Sequence, residues 1–306
     1  MRLLGSQMTL HKLEIFCLVA QLDSVSRAAD RIGVAQPVVT AHIRSLEDKL
    51  GIRLVTRQGR RIVLTEGGER VYRWASEIVT RTRELERELN EASGQAVGSV
   101  MVAASMTVGS YVLPRILADF RRDHPDGEIA VQISNPQAAT DAVRDGACDF
   151  AVCILDPRHD VDGLTVERLW EEELALVAAP ASALVGPSAD AAAIAALPFV
   201  TSPRHQVRRE LEDDALRAYG IVRERIVLEL GHPEAMKQAV RHGAGVAFLF
   251  ETCIADELSL GLLRKVETPG LRMAMPMFLV HRRGKSFSPL QNALIAFTRR
   301  NSPVAG

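Results

Sequence analysis

A chain of 306 residues is too long for one small domain and suits two or three. Hydrophobic residues make up 47% and charged residues 25%, ordinary proportions that exclude collagen-like and wholly disordered chains. The net charge of −1 hides an asymmetry: residues 1–65 carry ten Lys/Arg against five Asp/Glu, and the remainder carries 27 against 33. A small basic end on a mildly acidic body is the pattern of a nucleic-acid-binding head, although charge alone leaves ordinary surface variation open. No stretch approaches ~18 uncharged apolar residues, which excludes an apolar membrane-spanning helix. Met1 to Met8 hold no apolar core of signal-peptide length before Lys12 and Glu14, which predicts a cytoplasmic chain. Cys17, Cys148, Cys153 and Cys253 form no C-x-x-C pair and no cluster at zinc spacing, so they read as reduced, mostly buried thiols. A redox switch through Cys148 and Cys153 is the lesser alternative.

In chain order, Leu10, Leu13, Phe16 and Cys17 recur at helical spacing. Ser24 stands where an N-cap belongs, ahead of a helix carrying Ala28, Ala29 and Ile32, and Gly33 supplies the turn. Val39, Ile43, Leu46 and Leu50 make one buried face of a third helix that Gly51 ends. Val55 to Thr65, with Gly59 and the run Ile62-Val63-Leu64, reads as a small hairpin. A long helix is predicted from an N-cap at Thr65 to about Ser93. Val71, Ala75, Ile78, Thr82, Leu85, Leu89 and Ala92 hold a 3.5-residue period along it. Two readings are open: a helix paired with a partner helix, which the flanking charges favour, or an amphipathic helix on its own globule. Gly94 to Gly98 reads as a hinge.

Beyond it strands alternate with helices. Strand-like runs are residues 100–104, 128–133, 150–154, 174–177, 198–201, 225–229, 246–249 and 277–280, and Ala189 to Ala196 reads as a short surface helix. The pattern predicts α/β architecture with largely parallel sheets, in two subdomains.

Residues 24–47 carry the function. Small Ala28 and Ala29 allow close helix approach, Gly33 turns the chain, and Val39 and Ile43 dock the next helix: a helix-turn-helix. Gln36, Pro37, Val38, Thr40, Ala41 and Arg44 are then left exposed at the start of the second helix. Gln reads adenine bidentately, Thr bonds a base or phosphate, and Val touches a thymine methyl. Arg57, Arg60 and Arg61 on the hairpin are phosphate or minor-groove candidates, with solubilising surface charge as the alternative. Arg27, Arg31 and Arg53 are weaker.

This passage resembles the DNA-binding domain of LysR-type transcriptional regulators. The resemblance continues through Leu46-Glu47, Leu50-Gly51, Leu54, Arg57 and Leu64-Thr65-Glu-Gly-Gly68, then Tyr111-Val-Leu-Pro114, Phe120 with His124-Pro125, Gly146 with Asp149-Phe-Ala-Val152, and Gly243-Ala-Gly-Val246. It covers essentially the whole chain. It implies an N-terminal winged helix-turn-helix (8–65), a linker and dimerisation helix (66–93), and an effector domain (94–306) like a periplasmic binding protein. The effector domain would have one lobe of about 98–168 with 270–300 and another of about 169–269. Ser26 joins the DNA-contacting set. The partners implied are double-stranded operator DNA, RNA polymerase, a small-molecule effector and further copies in a homodimer or homotetramer. Ala35 departs from the family, in which a small hydroxyl residue is usual, so the recognition helix lacks its usual side-chain cap, a loss of about 0.5–2 kcal/mol.

Ligands of open α/β sheets lie past the carboxyl ends of strands. Ser105 and Thr107, Asn135, and Ser202 follow three such strands. With Arg204 and His232 as lesser members, they are the expected effector contacts, or they merely cap helices. Helix N-terminal amides and hydroxyls favour a small anion such as a carboxylate. No nucleophile elbow, Walker loop, zinc-binding motif or dinucleotide fingerprint is present, so neither catalysis, nor a metal, nor a cofactor is expected. A periplasmic-type solute-binding protein and a metabolic enzyme are the competing readings. The basic head argues against the first, and small-substrate turnover without DNA binding would favour the second.

Overall fold

The computed structural model describes residues 8–59, 61–92, 98–156 and 161–303. The chain divides into two compact units, Met1–Ala96 and Val97–Gly306.

The first unit opens with α1 (Leu10–Leu22), α2 (Val25–Ile32) and α3 (Gln36–Leu50). The caps lie where the residue types demand. The Thr9 and Ser24 hydroxyls accept from Lys12 N–H and Arg27 N–H, and Gly33 and Gly51 end α2 and α3 at φ +70°. Phe16, Val19, Ala28, Val39 and Leu46 are buried together, which fixes the two helices of the turn against α1. β1 (Val55–Gln58) and β2 (Arg61–Leu64) form an antiparallel hairpin. α4 (Glu66–Ala92) starts at Thr65, whose hydroxyl accepts from Gly68 N–H at 2.9 Å. A Cβ on Gly68 would lie 1.9 Å from the Leu54 carbonyl oxygen, so only glycine lets the helix start this close to the hairpin.

The 3.5-residue seam of α4 has two fates. Ala75 is buried and Val71 and Ile78 pack on the same core as α1, with Phe16 and Tyr72 edge to face at 6.5 Å. Further along, Leu85 and Leu89 are 53% and 59% exposed. The helix therefore lies on its own globule at its start, and presents an uncovered apolar seam after it. The predicted hinge falls largely on residues outside the described set.

The second unit begins with β3 (Ser99–Ser105), a π-helical turn (Val108–Val112) and α5 (Leu113–Asp123). Then come β4 (Glu128–Ser134), α6 (Pro136–Arg144), β5 (Phe150–Ile154), β6 (Leu164–Ala178), α7 (Ala191–Ala196), β7 (Pro198–Thr201), α8 (Val207–Ala218), β8 (Arg225–Glu229) and α9 (Pro233–Arg241). The unit closes with β9 (Ala247–Phe250), α10 (Glu251–Ser259), β10 (Arg264–Val266), β11 (Ala274–Arg282) and α11 (Pro289–Arg300).

The sheets are mixed, not largely parallel as the alternation predicts. β3 pairs in parallel with β4 and β5, and β7 with β8. β11 runs antiparallel to both β5 and β6, and β6 is antiparallel to β9 and β10. The cause is β6, a 15-residue strand of which the sequence shows only the apolar end. Its first part pairs with β11 and its last residues pair with β9 and β10, so one strand feeds both halves of the seven-stranded sheet.

The motif around Asp149 is structural. Gly146 turns at φ +71°, and the buried Asp149 carboxylate accepts from Met101 N–H at 2.8 Å and pairs with buried Lys285 at 3.2 Å. A charge this deep is tolerable only when so satisfied.

Candidate nucleic-acid interface and strand-end cluster

The face of α3 opposite Val39, Ile43 and Leu46 is open. Gln36, Pro37, Val38, Ala41 and Arg44 are exposed and Thr40 is half-buried. With Lys12, Ser45 and Asp48, five of these six line one groove of about 940 Å³. The sixth, Val38, is 42% exposed, a large unpartnered aliphatic surface at the first helical turn. Ser26 donates from α2 to the Gln36 side-chain oxygen at 3.2 Å, which holds the amide and leaves its NH2 free to donate. The Thr40 hydroxyl donates back to the Gln36 carbonyl at 3.1 Å, within its own helix, and its lone pairs remain available. Ala35 makes no side-chain cap, as the substitution predicts, and Pro37 near the start of α3 removes one N–H that would need a partner.

Arg57 and Arg61 are exposed on the hairpin, and neither they nor Arg44 pairs with an acid among the described residues. Arg60 lies outside the described residues. Arg53 and Arg27 are committed elsewhere: Arg53 pairs with Glu47 at 2.8 Å, and Arg27 donates to the Leu22 carbonyl at the end of α1. Arg31 is exposed with no acid partner among the described residues.

Two residues to which the sequence reading gives no role organise this face. Glu47, only 6% exposed, accepts from Leu54 N–H at 2.8 Å and Val55 N–H at 3.4 Å, tying the end of α3 to the start of the hairpin. Lys12 donates from α1 to the Ser45 hydroxyl at 2.8 Å. An acid at buried spacing after Leu46, in a pair that the family resemblance includes, is the sequence signal for Glu47, and Lys12 gives none.

In the second unit the predicted effector residues fall into two groups at strand ends. Ser105 pairs in register with Ser134, so Ser105, Thr107 and Asn135 share the β3–β4 end. Leu230 N–H donates to the Thr201 carbonyl at 2.8 Å, which sets Ser202 beside Gly231 and His232 at the β7–β8 end. Tyr111 links elements from both groups: its hydroxyl donates to Glu234 at 3.3 Å, and Lys237 sits 4.9 Å above its ring. Lys237 is buried and also pairs with Glu234 at 2.8 Å and Glu257 at 2.7 Å. Those carboxylates outweigh burial and raise its pKa, while the Lys237 bond is the main cause that lowers Glu234.

The hydroxyls at these ends behave differently. Ser105, Thr107 and Ser202 are buried, and no side-chain hydrogen bond is formed by them among the described residues. Asn135 and His232 are N-caps: Asn135 accepts from Ala138 N–H at 2.9 Å and His232 Nδ1 from Glu234 N–H at 3.1 Å. Arg204 lines a separate cavity of about 400 Å³ with Arg209, Asp213, Arg217 and Arg223. All four cysteines are buried, and burial pushes Cys148 up to about 11 and Cys153 up to about 12, which suppresses the thiolate.

Comparison with known proteins agrees with this arrangement. Residues 10–69 match the bacterial regulatory helix-turn-helix protein model of the lysR family, and residues 93–303 match the LysR substrate binding domain. An uncharacterised HTH-type transcriptional regulator of Escherichia coli K12, YeiE, is 33% identical over 289 residues, covering 94% of this chain and 95% of the relative. Among solved structures, a full-length OxyR variant of Pseudomonas aeruginosa has a TM-score of 0.71 at 18% identity, covering 96% of each chain. DarR of Vibrio fischeri in complex with DNA has a TM-score of 0.55 at 21% identity, covering 96% of this chain and 99% of that one. No helix among the described residues is long and apolar enough to cross a membrane. With an N-terminal helix-turn-helix whose α3 face is exposed and a C-terminal effector-binding domain following it in the chain, the chain belongs to the LysR family of DNA-binding transcriptional regulators.

Proposed function

We propose that this regulator acts in the cytoplasm, without catalysis, by reading operator DNA through Gln36, Val38, Thr40 and Arg44 while Arg57 and Arg61 hold the sugar-phosphate backbone. The observation that carries the reading is the exposed first half of α3, with Ser26 orienting Gln36 and three arginines left without acid partners among the described residues. Cations of that kind supply the salt-dependent affinity, and the base-edge groups supply discrimination. Uncovered Leu85 and Leu89 support pairing of two heads on two half-sites through α4. RNA polymerase is the further partner through which such a complex would act.

Control would come from a small anion, such as a carboxylate, at the strand ends of the second unit. Ser105, Thr107 and Ser202 are the preferred contacts, because these largely buried residues have hydroxyls that make no hydrogen bond among the described residues, while the side chains of the neighbouring caps are engaged. A ligand there would bias two arrangements of the assembly. The test is a footprint of the purified protein on the DNA upstream of its own gene, repeated with a panel of carboxylates. A protected region that one carboxylate shifts, and that Ser105→Ala no longer shifts, is the expected result. Effector response unchanged in Ser105→Ala removes that residue, and no protected region removes the DNA reading.

A further inference from the structure

The exposed face of α3 is bordered by a cation that does not belong to the helix-turn-helix. Lys12 sits in the first turn of α1, and its stem is half-buried there. Its ammonium donates to Ser45 at 2.8 Å, and Ser45 lies one helical turn past Ala41 on the face that carries Gln36, Thr40 and Arg44. This bond holds the positive charge at the groove those residues line. The same groove contains Asp48, an exposed carboxylate that would repel a nucleic-acid backbone. A positive charge fixed beside it offsets that repulsion where a recognition helix meets the wall of a major groove. The charge is felt locally: after burial and His11, Lys12 is a cause that lowers the pKa of His42 on the same helix as Ser45.

We propose that Lys12 is a phosphate-contacting residue of the DNA interface, held in place by Ser45 and contributed by α1 rather than by the helix-turn-helix or the hairpin. The inference rests on the DNA-reading role of α3. The ligand chemistry is the phosphodiester backbone, so the contribution is the same for every base sequence.

The experiment measures affinity of the full-length protein for a duplex of mixed sequence, about 30 base pairs long, between about 50 and 400 mM potassium chloride, with Lys12→Gln, Lys12→Arg and Ser45→Ala beside the parent. Each neutralised phosphate steepens the plot of log affinity against log salt by about 0.9, so Lys12→Gln should flatten it by about that amount. The same relation gives a loss of about eightfold at about 100 mM salt, shrinking as salt rises. Lys12→Arg should restore the parent slope. Ser45→Ala should weaken binding with the slope kept, because the charge remains. A slope in Lys12→Gln equal to the parent's overturns the proposal, as does a loss of affinity that is constant across salt. Failure of the parent to bind any duplex would instead overturn the DNA-reading role itself. If Lys12→Gln lowers the thermal midpoint, the Lys12→Arg comparison decides, since an arginine that folds but leaves the slope flattened also counts against a phosphate contact.

Discussion

Glu47 gives the sharpest structural prediction, because two effects in one residue differ in size. Its carboxylate accepts from the buried Leu54 N–H at 2.8 Å and pairs with Arg53, whose side chain is 79% exposed. A hydrogen bond to a charged group is worth about 1.5–3 kcal/mol, and stranding a buried N–H costs about 1–3 kcal/mol. An exposed ion pair contributes about 0–1 kcal/mol. The amide bond should therefore dominate. Glu47→Ala should lower the opening free energy of the segment joining α3 to the hairpin by about 2–3 kcal/mol, and Arg53→Ala by less than about 1 kcal/mol. Hydrogen exchange followed by mass spectrometry reads this directly, with peptides containing Leu54 and Val55 as reporters and β5 of the other unit as control. At about 1.4 kcal/mol per decade, Glu47→Ala should accelerate exchange there about 30- to 140-fold. Glu47→Gln, which keeps an acceptor, should fall between. If Arg53→Ala accelerates exchange as much as Glu47→Ala, the ranking of the two effects is wrong.

Leu85→Asp with Leu89→Asp should reduce the oligomer mass by light scattering while leaving exchange protection of α1 to α3 intact; an unchanged mass would place the contact elsewhere. The pKa of His42 is lowered from 6.5 by burial, His11 and Lys12, so the folded head binds fewer protons than the unfolded chain below that value. Stability of the head is unaffected by this group well above about pH 6.5, falls as pH drops from about 6.5 to the lowered pKa and levels off below it, and His42→Gln should flatten that fall in thermal scans. With Cys153 pushed up to about 12 and Cys148 to about 11, native-state alkylation near pH 8 should spare both, whereas fast labelling or a reversible disulfide under peroxide would revive a redox role.

The head is legible in the sequence because its constraints are local. Ser24, Gly33, Gly51 and Thr65 each announce a helix boundary through the cap they supply, and the period of α3 separates its docked face from its exposed face. The effector strands are legible at their apolar ends for the same reason. β6 is not, because residues 164–173 read as a charged segment until β11, about a hundred residues later, covers one side. Its acids are then explained one by one: Glu167 pairs with Arg299 at 2.6 Å, Glu171 with Arg168, Glu173 with Arg272 at 2.9 Å, and buried Glu172 accepts from the Trp170 indole at 3.0 Å. The roles of Lys12 and Tyr111 are hidden for that reason too, since their side-chain partners Ser45 and Glu234 lie 33 and 123 residues away. Asn135 and His232 show the reverse case, where a strand-end polar residue fits both a ligand and a cap, and three-dimensional contacts favour the cap.

The central claim is that α3 discriminates base sequence through Gln36. The most direct measurement is the affinity of the full-length protein and of Gln36→Ala for the footprinted duplex and for a shuffled duplex of the same length, at one salt concentration. A bidentate base contact is worth about 1–3 kcal/mol, so Gln36→Ala should lose about 5- to 140-fold on the specific site while changing little on the shuffled one. Equal losses on both duplexes, or no loss on either, would contradict the account.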